Sequence, residues 1–277
     1  MIKRICLCYF SPCGNVKKIV QGFANAIAKE MQCDIVEMDF TLPAQRDALV
    51  KENGLSFSSD DLVVLGTPVY AGRIPNKIMP FIQENIKGDN SLCVCMTSYG
   101  NRNFDDAIAE QVSLMRGNGM KIVGAAAVVS EHSFSDELAC GRPNDEDMNE
   151  IGAFAIKIAD KIKKGEMGEI SVPGELPPQK YYTPLKADGQ PAKFLKAVPK
   201  VDESKCKNCN ICAKVCPMGS VDASDSAVCN GPCIKCQACI KACPSGARYF
   251  DDEDFLSHVE MLKMNYKTKK NLQFFVE

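Results

Sequence analysis

The sequence predicts an α/β protein: a doubly wound, five-stranded parallel sheet followed by a small α+β unit rich in cysteine. Three observations predict it. Over residues 1–170, short apolar β-branched runs alternate with longer stretches of helical period, the pattern of parallel strands joined by crossover helices. From residue 171 to 200 prolines recur and no period persists, which marks a linker. Nine of the sixteen cysteines then fall between Cys206 and Cys243, while the other seven are scattered over the first 140 residues.

The elements follow in order. Arg4 to Phe10 reads as the first strand, and Val16, Ile19, Val20, Phe23, Ile27 and Met31 then recur at intervals of three and four, one face of an amphipathic helix. Strands are predicted at Asp34 to Met38, Leu62 to Val69, Leu92 to Thr97 and Ile122 to Val129. Helices are predicted at Asn76 to Asn85, Asp105 to Gly117 and Glu146 to Lys164, the last capped and charged by Asn144 to Asp147. In the linker, Lys180, Lys186, Lys193, Lys196 and Lys200 suit a solvated connector better than a docking patch. Residues 201–250 form the cysteine-rich unit. In residues 251–277, Asp251 to Asp254 open a helix running to about Met264, because negative charge favours a helix N-terminus, and Leu272 to Val276 read as a strand or packing tail.

Composition limits the function classes. The formal charge is -2, with 45% hydrophobic and 25% charged residues, so no basic excess exists to neutralise nucleic acid or an acidic membrane. No apolar run approaches the roughly 18 residues that span a bilayer. A soluble, cytoplasmic chain is expected, with proteins or small molecules as partners and the oligomeric state left open. In such a compartment, concentrated cysteines hold metal more readily than disulfides. Cys6 and Cys8, like Cys93 and Cys95, are two apart on a strand and read as packing.

The cysteine-rich unit is a duplication with a period of 27 residues. Cys206-Lys207-Asn208-Cys209-Asn210-Ile211-Cys212-Ala213-Lys214-Val215-Cys216-Pro217 is echoed by Cys233-Ile234-Lys235-Cys236-Gln237-Ala238-Cys239-Ile240-Lys241-Ala242-Cys243-Pro244. Both halves read C-x2-C-x2-C-x3-C-P. Zinc modules present two pairs across a longer loop, so the doubled run favours iron and sulfur. Residues 201–250 resemble a clostridial-type ferredoxin carrying two 4Fe-4S clusters, in which the fourth thiolate of each run ligates the other cluster. The resemblance implies Cys206, Cys209, Cys212 and Cys243 on one cluster, and Cys233, Cys236, Cys239 and Cys216 on the second. Cys229 is surplus to both sets. Lys205, Lys207, Lys214, Lys235, Lys241 and Arg248 are expected to offset the negative charge of the clusters.

A parallel sheet binds its ligand beyond the carboxyl ends of its strands. Ser11-Pro12-Cys13-Gly14-Asn15-Val16 follows the first strand and opens the amphipathic helix, where backbone N–H groups favour an anion. Gly66-Thr67-Pro68-Val69-Tyr70-Ala71-Gly72-Arg73 follows the third strand and Thr97-Ser98-Tyr99-Gly100-Asn101-Arg102-Asn103 the fourth, each with a tyrosine suited to a flat ring. No G-x-G-x-x-G follows the first strand, which argues against a nicotinamide cofactor. The loops resemble those of a flavodoxin. That resemblance implies FMN, with Ser11, Gly14 and Asn15 on its phosphate, Tyr70 and Tyr99 near the isoalloxazine, and the carbonyl of Ala71 or Gly72 accepting from the reduced ring. Cys13 and Val16 stand where flavodoxins place hydroxyls, leaving backbone donors, with Lys17 and Lys18 in the first turn. Cys13, at a helix N-terminus, also raises the alternative of a depressed thiol pKa. His132, after the fifth strand, lies on the ligand side and reads as a hydrogen-bonded loop histidine.

Nearly the whole chain is thus similar to a fused flavodoxin and bacterial ferredoxin. The resemblance implies an electron-transfer protein passing single electrons between two 4Fe-4S clusters and FMN, with redox proteins as partners. The alternative is an FMN-dependent reductase of a small acceptor fed through the clusters. A third reading keeps only the ferredoxin active and uses residues 1–170 for docking.

Overall fold

The computed structural model describes residues 2–51 and 55–277. The strands that alternation predicted form first: β1 (Arg4–Tyr9), β2 (Asp34–Asp39), β4 (Asp61–Pro68), β6 (Leu92–Tyr99) and β7 (Lys121–Val129). These five are parallel and lie in the order β7-β6-β4-β1-β2. Numbered among themselves that order is 2-1-3-4-5, the flavodoxin-like winding, which reverses direction between β1 and β4.

Side-chain alternation along β1 assigns the two faces. Ile5, Leu7 and Tyr9 pack with α1 (Asn15–Met31) and α5 (Asp145–Lys164), through Phe23, Ile27, Phe154 and Ile158. Cys6, Cys8 and Phe10 pack on the other face with α3 (Met79–Asn85) and α4 (Ala107–Gly117), through Ile82, Ile108 and Val112. Cys6, Cys8, Cys93 and Cys95 are all fully buried in that second layer, as small hydrophobes. The acidic start of α5 is a capping box: the Asn144 side chain accepts from the Asp147 N–H at 3.0 Å, and the Asp147 carboxylate accepts from the Asn144 N–H at 2.9 Å.

Three features depart from the sequence reading. The main sheet has six strands, because β10 (Gln273–Phe275) pairs antiparallel with β7, Gln273 opposite Ala127. The tail after the cysteine-rich unit therefore completes the sheet of the first unit. A short helix α2 (Pro43–Lys51) and a two-stranded sheet, β3 (Leu55–Phe57) with β5 (Ile86–Gly88), sit beside the main layers. The helix shows no apolar face and buries no side chain, so periodicity carries no trace of it. The proline-rich segment is pinned rather than free: Tyr182 N–H donates to the Ala71 carbonyl at 2.9 Å, and the Tyr181 hydroxyl to that of Ile74 at 2.9 Å.

The cysteine-rich unit repeats its structure as it repeats its sequence. β8 (Lys200–Val201) pairs antiparallel with β9 (Arg248–Tyr249), closing the segment at its base. Each half carries one turn of helix, α6 (Ile211–Lys214) and α7 (Ala238–Lys241), entered through left-handed residues at matching places, Asn208 and Asn210 in one, Lys235 and Gln237 in the other. α8 (Glu253–Asn265) follows, its Asp252 side chain capping the N–H of Phe255 at 2.9 Å.

Candidate functional site

The first predicted loop caps α1. Gly14 takes a left-handed conformation at φ 86°, which turns the chain into the helix. The Ser11 hydroxyl accepts the Lys17 N–H at 2.9 Å, and the Ser11 N–H donates to Thr41 Oγ1 at 2.9 Å. Among the described residues no acceptor takes the N–H of Cys13, Asn15 or Val16. These are the donors a helix N-terminus leaves open, and they fit a phosphate. The flanking side chains behave differently from expectation. Lys17 pairs with Glu37 at 2.8 Å and Lys18 donates to the Pro143 carbonyl at 2.6 Å, so both are engaged elsewhere. Val16 is only 4% exposed, because Gly66 lets α1 lie close on β4; a Cβ there would stand 2.7 Å from Val16 Cγ1.

Cys13 corrects the notion of an activated thiol. Its Sγ–H donates to the Cys236 carbonyl at 2.8 Å, and burial pushes the thiol up to about 11. The helix N-terminus does not win against desolvation here. What Cys13 does is tie the first loop to the second half of the cysteine repeat.

A cleft of about 1130 Å³, open mouth included, runs along the carboxyl ends of β1, β4, β6 and β7. Ser11, Pro12, Cys13, Asn15 and Val16 line it, as do Pro68 to Gly72, Ser98, Tyr99, Gly100 and Arg102. Three predicted residues stand off. Gly14 shapes the loop without lining the cleft, Thr67 is fully buried beneath it, and Asn101 points its amide away, to the carbonyls of Tyr266 and Thr268, the latter at 3.0 Å. The carbonyls proposed for the reduced ring are both engaged: Ala71 accepts from Tyr182 at 2.9 Å and Gly72 from Asp106 at 3.1 Å. Each keeps a second lone pair.

Sequence reasoning placed His132 on this side as a hydrogen-bonded loop residue, as it is, and missed the rest of the wall. Both histidines of the chain line the cleft, with Phe134, Tyr182, Phe194 and Leu262. Gly100 makes room for one, since a Cβ there would stand 2.4 Å from His132 Cδ2. Burial pushes His132 down to about 4, and it lowers His258 as well, so both imidazoles are neutral at pH 7. No local pattern announces Tyr182, Phe194, His258 and Leu262, because they come from segments distant in sequence.

The cysteines surround two smaller cavities. Cys206, Cys209, Cys212 and Cys243 all line one of about 330 Å³, and Cys216, Cys233, Cys236 and Cys239 all line another of about 390 Å³, with Cys229 beside them. Among the described residues, no three His, Cys, Asp or Glu side chains converge as ligands of a single ion, which would need its sulfurs about 2.3 Å from one point. Arg248 is 4% exposed, lines the first cavity, and gives one N–H to the Ser226 carbonyl; among the described residues no nitrogen or oxygen acceptor meets its Nε or Nη2, and the guanidinium reaches the Cys239 thiol. A buried guanidinium with two donors that meet no nitrogen or oxygen acceptor fits an anionic, sulfur-rich cluster beside it. Cys236, 8% exposed, lines both the second cavity and the cleft, so the two share a wall at residues 234–236.

Residues 198–221 and 230–248 match two family models, each described as a 4Fe-4S binding domain. No curated protein matches the chain. Among solved structures, a flavodoxin from the domain Archaea is 19% identical, covering 58% of this chain and 99% of that one at a TM-score of 0.42. Oxidised Flavodoxin 2 from Bacillus cereus is 17% identical, covering 57% and 99% at 0.41. Rubredoxin oxygen:oxidoreductase from the anaerobe Desulfovibrio gigas is 16% identical, covering 60% of this chain but 37% of that one at 0.40. The chain thus carries two 4Fe-4S ferredoxin-type segments after a unit whose strand order is flavodoxin-like.

Proposed function

We propose that this electron-transfer chain passes single electrons inward, from a cluster on Cys206, Cys209, Cys212 and Cys243, through a second on Cys216, Cys233, Cys236 and Cys239, to FMN in the cleft. One observation carries the reading: Cys236 belongs both to the inner cysteine cavity and to the wall of the cleft. Exposure supports the order. Cys209 is exposed at the outer cavity, where a partner protein can approach, whereas Cys236 and Cys239 are buried. The contact is held by the Cys13 to Cys236 hydrogen bond and by Lys241 with Glu131 at 2.8 Å. When bound, FMN supplies a carrier that accepts electrons singly and releases them in pairs. The chain's part is to hold the phosphate on the open amides of residues 13, 15 and 16 and to keep the ring against residues 234–236.

A second reading has an observation of its own. Tyr182 and Phe194 of the proline-rich segment and His258 and Leu262 of α8 line the same cleft, so the chain covers the ring position with its own residues. A covered ring favours a small acceptor that enters the cleft over a docked protein, as in an FMN-dependent reductase.

An anaerobic preparation tests the route. Two clusters and one FMN per chain are expected, from iron, sulfide and acid-released flavin, with the flavin reduced by way of the clusters when a low-potential protein donor is added. Clusters without flavin, after FMN has been supplied, would leave only a ferredoxin.

A further inference from the structure

The cleft continues past the positions that the resemblance gives to the ring, into a chamber whose roof has no place in the sheet. Tyr182 and Phe194 face His258, their ring centroids 6.4 and 5.4 Å from the imidazole, and Phe134 stands 5.1 Å from His132. The roof is fixed from both sides. Tyr182 N–H is bonded to the Ala71 carbonyl, and the Arg102 guanidinium lies 4.1 Å from the centroid of the Tyr182 ring.

Charge limits what the chamber can take. The charged side chains on the cleft wall are each engaged: Arg102 with Asp105, Glu131 with Lys241, and the Lys235 ammonium with the carbonyls of Leu195 and Cys233. An ionic ligand would lose its hydration without gaining a free counter-charge. An uncharged one escapes that cost.

The two imidazoles then set the hydrogen bonding. His132 Nδ1 accepts the Phe134 N–H at 3.1 Å, so the neutral ring carries its proton on Nε2 and donates there. His258 Nδ1 lies 2.8 Å from the Leu185 carbonyl, which only accepts, so Nδ1 holds the proton and Nε2 is left as an acceptor. The two imidazoles therefore offer the chamber one donor and one acceptor between aromatic faces.

Resting on the flavin reading above, we infer that this chamber binds an uncharged quinone as terminal electron acceptor, stacked on Tyr182 and Phe194 with a carbonyl oxygen on His132 Nε2–H. The quinone takes two electrons, delivered singly through the clusters and the flavin, and two protons from water. Both its carbonyls become hydroxyls and its ring becomes aromatic. A hydroxyl of the product donates to His258 Nε2, so the pair of histidines serves the oxidised and the reduced compound in turn.

The test is binding, measured apart from turnover. FMN and iron are counted, and reduction of the flavin through the clusters is checked, on the same preparation first. Then 1,4-naphthoquinone is titrated anaerobically into the oxidised full chain, and binding is read from the perturbed flavin absorbance. Saturable binding is expected, weakened about tenfold in His132→Leu and in Tyr182→Ala with FMN and iron content unchanged. The anionic 2-sulfonate of the same quinone should bind no more tightly. Absence of saturable binding, equal binding by both variants, or displacement of FMN by the quinone would overturn the inference. A preparation without FMN, or with flavin the clusters do not reduce, would overturn the electron route and this inference with it.

Discussion

The two halves of the cysteine repeat share a motif, a pair of left-handed turns and a single helical turn, yet they occupy opposite environments. One faces solvent at Cys209, and the other closes the cleft at Cys236. The second position of each run separates them. Lys207 is exposed, while its counterpart Ile234 is half-buried against the layer that holds α3 and α4. The ligand spacing sets the local loop. The residues between the ligands decide which half meets the rest of the chain.

Variants can break or sharpen that contrast. The largest effect is expected at the ligands: Cys236→Ser should drop donor-driven flavin reduction to background in a stopped-flow trace, with FMN still bound. Cys209→Ser should remove the outer cluster and leave the inner one visible by paramagnetic resonance. Full-rate flavin reduction in the Cys209 variant would deny the outer cavity its role as inlet. Ile234→Lys, which imports the outer half's residue, should cost about 1–3 kcal/mol of stability in urea, because it sets an ammonium against an apolar layer.

Arg248→Met comes next. The guanidinium lines the outer cavity, and it also reaches Cys239, where burial pushes the thiol up and Arg248 pulls against it. Losing this cation disfavours the more negative, reduced state, so voltammetry should record both potentials falling, by about 60 mV for a tenfold change in preference. A shift confined to one cluster would place the cation on that side alone. The smallest effect belongs to Lys207→Ile, within about 0.5 kcal/mol, since the side chain is solvated.

Much of this was legible in the residues. Short apolar runs set between stretches of helical period placed the five parallel strands to within two residues, because the central parallel strands are buried on both faces and read as continuous apolar runs. The eight cysteines expected to hold the clusters stood out by spacing, and they line two cavities in the sets that the resemblance implies. Hidden features depend on partners far along the chain. The roof residues Tyr182, Phe194 and His258 are ordinary in their own segments and gain meaning only where the Ala71 carbonyl pins the linker. Lys17 and Lys18 looked free for a phosphate until Glu37 and the Pro143 carbonyl took them. The thiol of Cys13 followed its burial rather than its helix.

The strand β10 has a consequence for biosynthesis. It follows the cysteine repeat in the sequence and pairs with β7, which precedes it. On the ribosome, β7 emerges long before its neighbour and waits with an open edge, the kind of surface that invites intermolecular pairing. Closure of that edge comes only after the iron-binding segment has been translated.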